Sequence, residues 1–462
     1  MNEKSNGRLQ KLAYSIGSIA DTGSYSIVSS FLLYFLIDVV YLNTWLASLI
    51  YMISYGIWNA INDPIVGVLS DRTHTRWGRR KPWIMIGAPL SLIFYILFWG
   101  PPAGANEIFI FFYMLIAVAG YEFTYSMAAV PWFAVFPELW QTTKERTSIV
   151  IYRQTFALLG GALAVGVFPI LQGIFSDLFN ELVGWTWAGG FLGALFTLCF
   201  LISLFGIKEH KEFVMEKQEP LFQSIKMTLK NITLLTYMGI DLMTWCMFGW
   251  MSAMSPFFLT HSLGMDLEIV ALIMLPNMLA TIVFFPVWKK IYIRFGPKRS
   301  MLYSTILVIL SYIPVIFVTE LIGLASWGFV TGIAFSGILV SREVMMGDIV
   351  DEDELKTGLR REGSYFGFIV MVEKFSLVLI GLATSILLDV FIGYDPLLPD
   401  PPLMDIGIRL GMIGMVTVFS LILLLFLKFY PLNKEKVSQI HEEVKRLHDE
   451  KKDRLEKVDT DE

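Results

Sequence analysis

Twelve apolar runs, each long enough to cross a bilayer, leave this chain little choice of fold class. They fall at about 12–40, 45–70, 82–101, 107–137, 147–176 and 186–206. After a charged stretch from Lys208 to Lys230 they resume at about 234–260, 266–290, 299–318, 320–347, 363–392 and 404–430. A spanning helix needs about 20 apolar residues. Inside hydrocarbon every backbone N–H and C=O must be bonded within the protein, so runs of this length are expected to be helices. Charged residues make up 17% of the chain, against about 25% in soluble globular proteins. The expectation is an all-α polytopic membrane protein of twelve transmembrane helices in two six-helix bundles. Its parts are an N-terminal bundle (1–206), a cytoplasmic linker (207–233), a C-terminal bundle (234–430) and a cytoplasmic tail (431–462).

Lys and Arg set the expected orientation. They crowd the connection from Arg72 to Lys81, the one holding Lys144 and Arg146, the central linker, the one from Lys289 to Arg299, and the one holding Lys356, Arg360 and Arg361. The alternate connections carry only acids, one His and neutral residues. By the positive-inside rule both termini and the linker are expected on the cytoplasmic side of a cell membrane. The start of the chain, Met1 to Gln10, is polar without a cleavable signal pattern, and the first apolar run is too long for a signal-peptide core. The formal net charge of −5 says little, because the acidic count includes the tail. Cys199 and Cys246 both lie in apolar runs, so no disulfide framework is in view. The five His residues (74, 210, 261, 441 and 448) sit outside the spans or at their ends, which argues against a membrane enzyme. No Gly-x-x-x-x-Gly-Lys-Ser/Thr loop appears, which argues against ATP-driven transport by this chain alone. After Tyr430, Val437, Ile440, Val444 and Leu447 recur at helical spacing, as in a short amphipathic surface helix.

The most informative stretch is Trp58-Asn59-Ala60-Ile61-Asn62-Asp63-Pro64, running into Ser70-Asp71-Arg72 and the turn Arg76-Trp77-Gly78-Arg79-Arg80-Lys81. Helical spacing puts Asn59 and Asp63 one turn apart on one face, with Asn62 beside them. A carboxylate at membrane depth costs about 2.5–3.5 kcal/mol on insertion scales, so it has to face a cavity, a partner or an ion. Asp21 in the first run raises the same question. Further charges in apolar runs are Glu122, one turn before Ser126, and Asp241; Glu343 beside Arg342 and Glu373 beside Lys374 read equally well as structural pairs.

These residues carry a family resemblance. The Trp58–Pro64 motif with its Arg-Trp-Gly-Arg-Arg-Lys-Pro-Trp turn resembles the glycoside–pentoside–hexuronide cation symporters, the melibiose permease group. The likeness extends to Asp348-Ile349-Val350-Asp351-Glu352-Asp353-Glu354 through Arg360-Arg361-Glu362-Gly363, to Thr124–Met127 with Val130-Pro131-Trp132 and Arg153, and to Glu373-Lys374-Phe375. The resemblance implies a major facilitator fold with a sugar and a coupling cation in a central cavity. Asp63, Asn62 and Ser126 match the family's cation site, while one of its two acids falls on Asn59. Lys374 and Arg153 match cavity-facing basic residues. A sugar-binding aspartate falls on Ala129, its first-helix partner on Asp21 or Thr22, and the sugar-packing aromatic on Phe133, so galactoside specificity does not carry over. Glu122 is a candidate substitute for the acid lost at Ala129. A weak internal repeat, Arg76–Lys81 against Arg294-Phe295-Gly296-Pro297-Lys298-Arg299, fits two parallel six-helix halves.

The expected function is sugar:cation symport by alternating access. The coupling ion is Na+ or H+, with no other metal and no cofactor. A hard cation wants oxygens, which Asp63, Asn59, Asn62 and Ser126 offer. Asp21, Thr22, Tyr125, Trp132, Phe133, Arg153 and Lys374 are the candidate substrate residues. Asp71, Arg72, Arg79 and Arg80 with Asp351, Arg360, Arg361 and Glu362 read as a cytoplasmic gate. An uncoupled sugar facilitator and a lysolipid carrier of the same fold are the alternatives. The expected partners are a small-molecule sugar and the lipid bilayer, with no nucleic acid, and fold analogy implies a working monomer.

Overall fold

The computed structural model describes residues 3–73, 75–140, 143–207, 231–357, 362–444 and 446. Among them eleven helices are long and apolar enough to cross a membrane. In chain order, with the second span added at its place, they are α1 (Gly7–Val39), α2 (44–72), α3 (Lys81–Trp99), α4 (Glu107–Phe136), α5 (Ser148–Leu178) and α6 (Glu181–Gly206). They continue as α7 (Ile232–Ser262), α8 (Leu267–Phe295), α9 (Pro297–Phe317), α10 (Leu321–Lys356), α11 (Phe368–Ile392) and α12 (Met404–Phe429). The helix that falls below the apolar criterion is α2. It is long enough to span, but Asn59, Asn62, Asp63, Ser70, Asp71 and Arg72 dilute its hydropathy. The weakest membrane helix is thus the one that carries the candidate cation residues. A short helix over 434–444 follows α12. The linker 208–230, Arg360 and Arg361 lie outside the described residues.

Local sequence explains the ends. Asn43, Asn106 and Asn180 each accept an N–H of the following first turn, from Trp45, Phe109 and Val183, which satisfies donors that a helix start leaves unpaired. Because of its cap, α6 begins at Glu181, five residues before the apolar run predicts. Similarly α10 runs beyond its apolar segment through the acidic Asp348–Glu354. The two basic turns of the internal repeat each hold a glycine at positive φ, Gly78 at 107° and Gly296 at 81°, a region that glycine tolerates best. Wider π-helical turns occur at Phe35–Val39, Tyr51–Ile57, Leu163–Val167, Phe258–Ser262 and Ile386–Ile392.

The chain forms two compact units. The first holds the described residues of 1–217, 249–275 and 374–411; the second holds those of 218–248, 276–373 and 412–462. Within the first, α1 and α5 approach so closely that a Cβ on Gly160 would lie 2.5 Å from the Ile19 carbonyl oxygen. Such small-residue crossings let helix backbones pack in lipid. At one end of this unit Asp38 accepts the Tyr394 hydroxyl (2.6 Å) and lies 2.8 Å from His261 Nε2. The other ring nitrogen of His261 lies 2.9 Å from Asp400. These bonds tie the α11–α12 connection to α1 and α7. His261→Ala leaves Asp38 and Asp400 each without that partner, and thermal unfolding is expected to show a loss of about 1–3 kcal/mol.

In the second unit Arg342 of α10 gathers three carboxylates. Its Nε pairs with Asp241, its Nη2 with Glu373 (2.6 Å) and its Nη1 with Glu343 (3.1 Å). Asp241 is therefore a buried partner of Arg342, and Glu373 turns to Arg342 although Lys374 is its neighbour in sequence. The 434–444 helix also docks in this unit. His441 lies 3.0 Å from Asp348, Lys434 Nζ donates to the Arg294 carbonyl, and Val437 and Val444 are buried. Its apolar stripe lies against protein as the spacing predicts; Leu447 lies outside the described residues.

Candidate functional site

Eleven of the residues singled out for ion or substrate fall in the first unit, and α4 is the element that organises them. Tyr125 and Ser126 are consecutive, so their side chains leave α4 about 100° apart. Tyr125 reaches α1, donating to Asp21 Oδ1 at 2.5 Å, whereas Ser126 reaches α2. The bond from Tyr125 falls on Asp21, not on Thr22, which sits half-buried one position further along α1.

The α2 side is short of hydrogen-bond donors. Ser126 Oγ lies 2.5 Å from Asp63 Oδ1 and 2.9 Å from Asn62 Oδ1. A serine has one hydrogen and two acceptors claim it. Asn62 is fully buried, and its amide nitrogen has no partner among the described residues. Turning the amide end for end would let it donate to Ser126 Oγ and leave its oxygen as the buried atom without a partner. Asn59, also buried, lies one turn before Asp63 on the same face. Oxygens that converge with too few hydrogens are the surroundings a hard monovalent cation completes. Two local features shape this stretch of α2. The π-helical turn at Tyr51–Ile57 resets the phase of the helix just before Trp58. Pro64, lacking an N–H, gives the Ala60 carbonyl no i+4 donor.

Lys374 stands at a break in α11, between Glu373 and the helical stretch Phe375–Ser385 that packs on 51–57 of α2. Its Nζ lies 5.8 Å from the Tyr25 ring centre. Asp63 is the charge that acts on it most strongly, with Glu122 and Asp21 next. Tyr25, Tyr51 and Tyr55 form an aromatic group beside it, the Tyr55 ring centre lying 6.2 Å from that of Tyr25 and 5.3 Å from that of Tyr51. Sequence spacing gave no sign of this group, because the residues come from two helices and the π-helical turn alters their phase.

Arg153 of α5 lies 4.8 Å from the centres of both Trp132 and Phe133 and 5.4 Å from Phe136. Trp132 is fully buried: its indole N–H donates to the Tyr14 carbonyl, the Tyr14 hydroxyl donates back to the Trp132 carbonyl, and Gly17 leaves room for the ring. Trp132 therefore serves as a seat for Arg153 within the helix packing, while Phe133 keeps 41% of its surface open. Because Gly160 sets the separation of α1 and α5, Gly160→Val is expected to push Asp21 and Arg153 out of place. Overpacking of this kind costs about 1–3 kcal/mol, readable as a lower unfolding temperature together with weaker substrate binding.

The gate residues are only partly brought together. Asp71 and Arg80 pair at 3.0 Å across the basic turn, and Trp83 braces it by donating to Thr73 at 2.8 Å. Arg72 and Arg79 belong to the same turn. In the second unit Asp351 lies 3.9 Å from His441. Arg360 and Arg361 lie outside the described residues; Glu362 opens the helix Glu362–Glu373, and its side chain is not described.

Comparison with known proteins gives the family. The family described as MFS/sugar transport protein matches residues 13–434. The chain is similar to an uncharacterized symporter, YnaJ, of Bacillus subtilis, at 26% identity over 96% of each chain. It is 24% identical to the isoprimeverose transporter of Lactiplantibacillus pentosus, over 82% of this chain and 79% of that one. It is 26% identical to the sodium-dependent lysophosphatidylcholine symporter 1 of Gallus gallus, over 92% and 87%. Among solved structures, a bacterial homologue of the human drug peptide transporters PepT1 and PepT2 has a TM-score of 0.63 over 95% of this chain and 99% of that one. At 11% identity that is a likeness of fold alone. The chain belongs to the MFS/sugar transport protein family, as a multi-pass secondary active transporter of the glycoside–pentoside–hexuronide type.

Proposed function

We propose that this transporter is a symporter that carries a sugar-class small molecule together with one monovalent cation, Na+ or H+. The observation that carries the reading is the donor-poor cluster of Asp63, Asn62 and Ser126, on the same unit as the Asp21–Tyr125 pair. A carboxylate sharing a phenol hydroxyl offers acceptors and a donor at one point, which suits sugar hydroxyls, and Phe133 offers an open aromatic face to a sugar ring. Ion and substrate groups leave adjacent positions of one helix, so occupancy of one cluster is felt at the other through a rigid element.

Two observations favour a second substrate class. Arg153 Nε has no hydrogen-bond partner among the described residues, and a guanidinium is suited to phosphate. A relative of similar identity is a lysophosphatidylcholine symporter. The test is counterflow into proteoliposomes loaded in turn with glycosides, pentosides and lysophosphatidylcholine. Exchange of a labelled glycoside or pentoside, competed by its unlabelled form, supports the sugar reading; exchange of lysophosphatidylcholine alone transfers the function to the lipid class.

The remaining parts of the reading follow the same plan. Both termini face the cytoplasm of a plasma membrane, in keeping with the basic connections. The transporter works as a monomer. The Asp71–Arg80 turn serves as a gate element on the cytoplasmic side.

A further inference from the structure

We propose that Glu122 of α4 is the second carboxylate of the cation site, supplying from a neighbouring helix the charge that α2 lacks at Asn59. The inference rests on the symport reading above and concerns the same site.

Three observations converge on it. The first is register. Ser54 Oγ donates to the Leu115 carbonyl (2.9 Å), Trp58 Nε1 donates to the Ala119 carbonyl (3.0 Å), and Ser126 Oγ meets Asn62 and Asp63. These are three rungs between two helices running in the same direction. Leu115, Ala119, Glu122 and Ser126 follow 4-3-4 spacing and so occupy one face of α4. Glu122 stands between the second and third rungs, at the level of α2 where Asn59 lies. That level is about two turns away from Ala129 along α4, so the acid Glu122 replaces is the one absent from α2.

The second observation is an unused acceptor. Glu122 is 2% exposed, and its Oε2 has no hydrogen-bond partner among the described residues. A carboxylate kept only for packing would normally be hydrogen-bonded at that depth. The charges that act on it are those of the site, Lys374 first and Asp63 second.

The third is charge balance. Lys374 is in electrostatic reach of Asp63, Glu122 and Asp21, and Asp21 also of Arg153. With all five ionised, three acids against two bases leave one negative charge, and intramembrane charges are normally compensated. One monovalent cation closes the balance, and without Glu122 there would be none to close. Tyr51, Tyr55, Tyr121 and Tyr125 are also within electrostatic reach of Glu122 but add no countercharge.

The test is binding of radiolabelled Na+ to the purified full-length protein in detergent, at constant ionic strength with choline chloride. Wild type, Glu122→Gln, Asp63→Asn and the relocated-charge variant Asn59→Asp/Glu122→Gln are compared. The buried thiols of Cys199 and Cys246 report folding through a thiol-reactive dye. Glu122→Gln is expected to weaken binding by about tenfold or more, the scale for losing a group that tunes an ion site. Moving the acid to position 59 is expected to restore binding. If wild type takes up no Na+, protons bound across the neutral range are counted instead, and Glu122→Gln is expected to bind one fewer. Unchanged binding in folded Glu122→Gln, or a folded relocated-charge variant that fails to bind, overturns the proposal. In that case loss of binding in Asp63→Asn still leaves the symport site standing. A wild type that binds neither ion overturns both.

Discussion

Asp63→Ala abolishes the dependence of substrate binding on the cation and reduces transport to equilibration, with little effect on folding. Asp63 is only half-buried, and among the described residues its one hydrogen bond is with Ser126. Once it is gone, Ser126 can turn wholly to Asn62, so the local packing loses little. What disappears, on the proposed symport reading, is the negative charge that would hold the cation against Lys374. Coupling between two ligands of one protein is typically worth about 5–150-fold in affinity. In the variant that ratio is expected to fall to about one, because a ligand that no longer binds cannot shift the equilibrium between two states. Substrate titrations with and without Na+, and at two pH values, measure the ratio directly. A variant that keeps a cation-dependent affinity would move the ion site away from α2.

Arg342→Ala is the expected folding counterpart. Asp241 is 1% exposed and Glu373 is largely buried, and Arg342 is their shared countercharge. Removing one side of a buried ion pair costs about 3–5 kcal/mol, because the remaining charge is stranded. Glu343 is mostly exposed and contributes little to that sum. The guanidinium also lies 5.3 Å from the Trp245 ring centre, and the Arg342 carbonyl accepts the Tyr237 hydroxyl. Arg342→Lys keeps the charge without the fork that serves several acceptors at once, so it is expected to recover part of the loss. Asp241→Asn combined with Arg342→Gln is expected to cost less than the sum of the two single changes, since the pair is removed together. Thermal unfolding followed by exposure of the buried cysteines reads all five variants.

Much of this molecule could be read before its structure was known, and the part that could not has a common cause. Spans are legible because the bilayer permits one solution for an apolar run, and helix starts because Asn43, Asn106 and Asn180 are local caps. The residues of the ion cluster were legible through α2, whose polar face breaks its own hydropathy. Alignments between helices were not. The spacing of Glu122 sets it about two turns before Ala129 on α4, but not which residue of α2 stands level with it; the hydrogen bonds of Ser54, Trp58 and Ser126 decide that. Nor does sequence adjacency tell that Glu373 turns to Arg342, 31 positions away, and not to Lys374. Trp132 shows a further limit. Its motif marks it as a substrate aromatic, yet two backbone hydrogen bonds and the space beside Gly17 set it inside the packing, with Phe133 left open. The π-helical turns act in the same direction, since each shifts the phase of every side chain beyond it.

The most direct test of the account is accumulation in proteoliposomes of whichever substrate counterflow identifies, with a Na+ gradient and a proton gradient imposed separately, in wild type and Asp63→Asn. The account predicts accumulation above equilibrium under one of the two gradients and equilibration only in the variant. Movement that never exceeds equilibrium under either gradient, or accumulation that survives in Asp63→Asn, contradicts it.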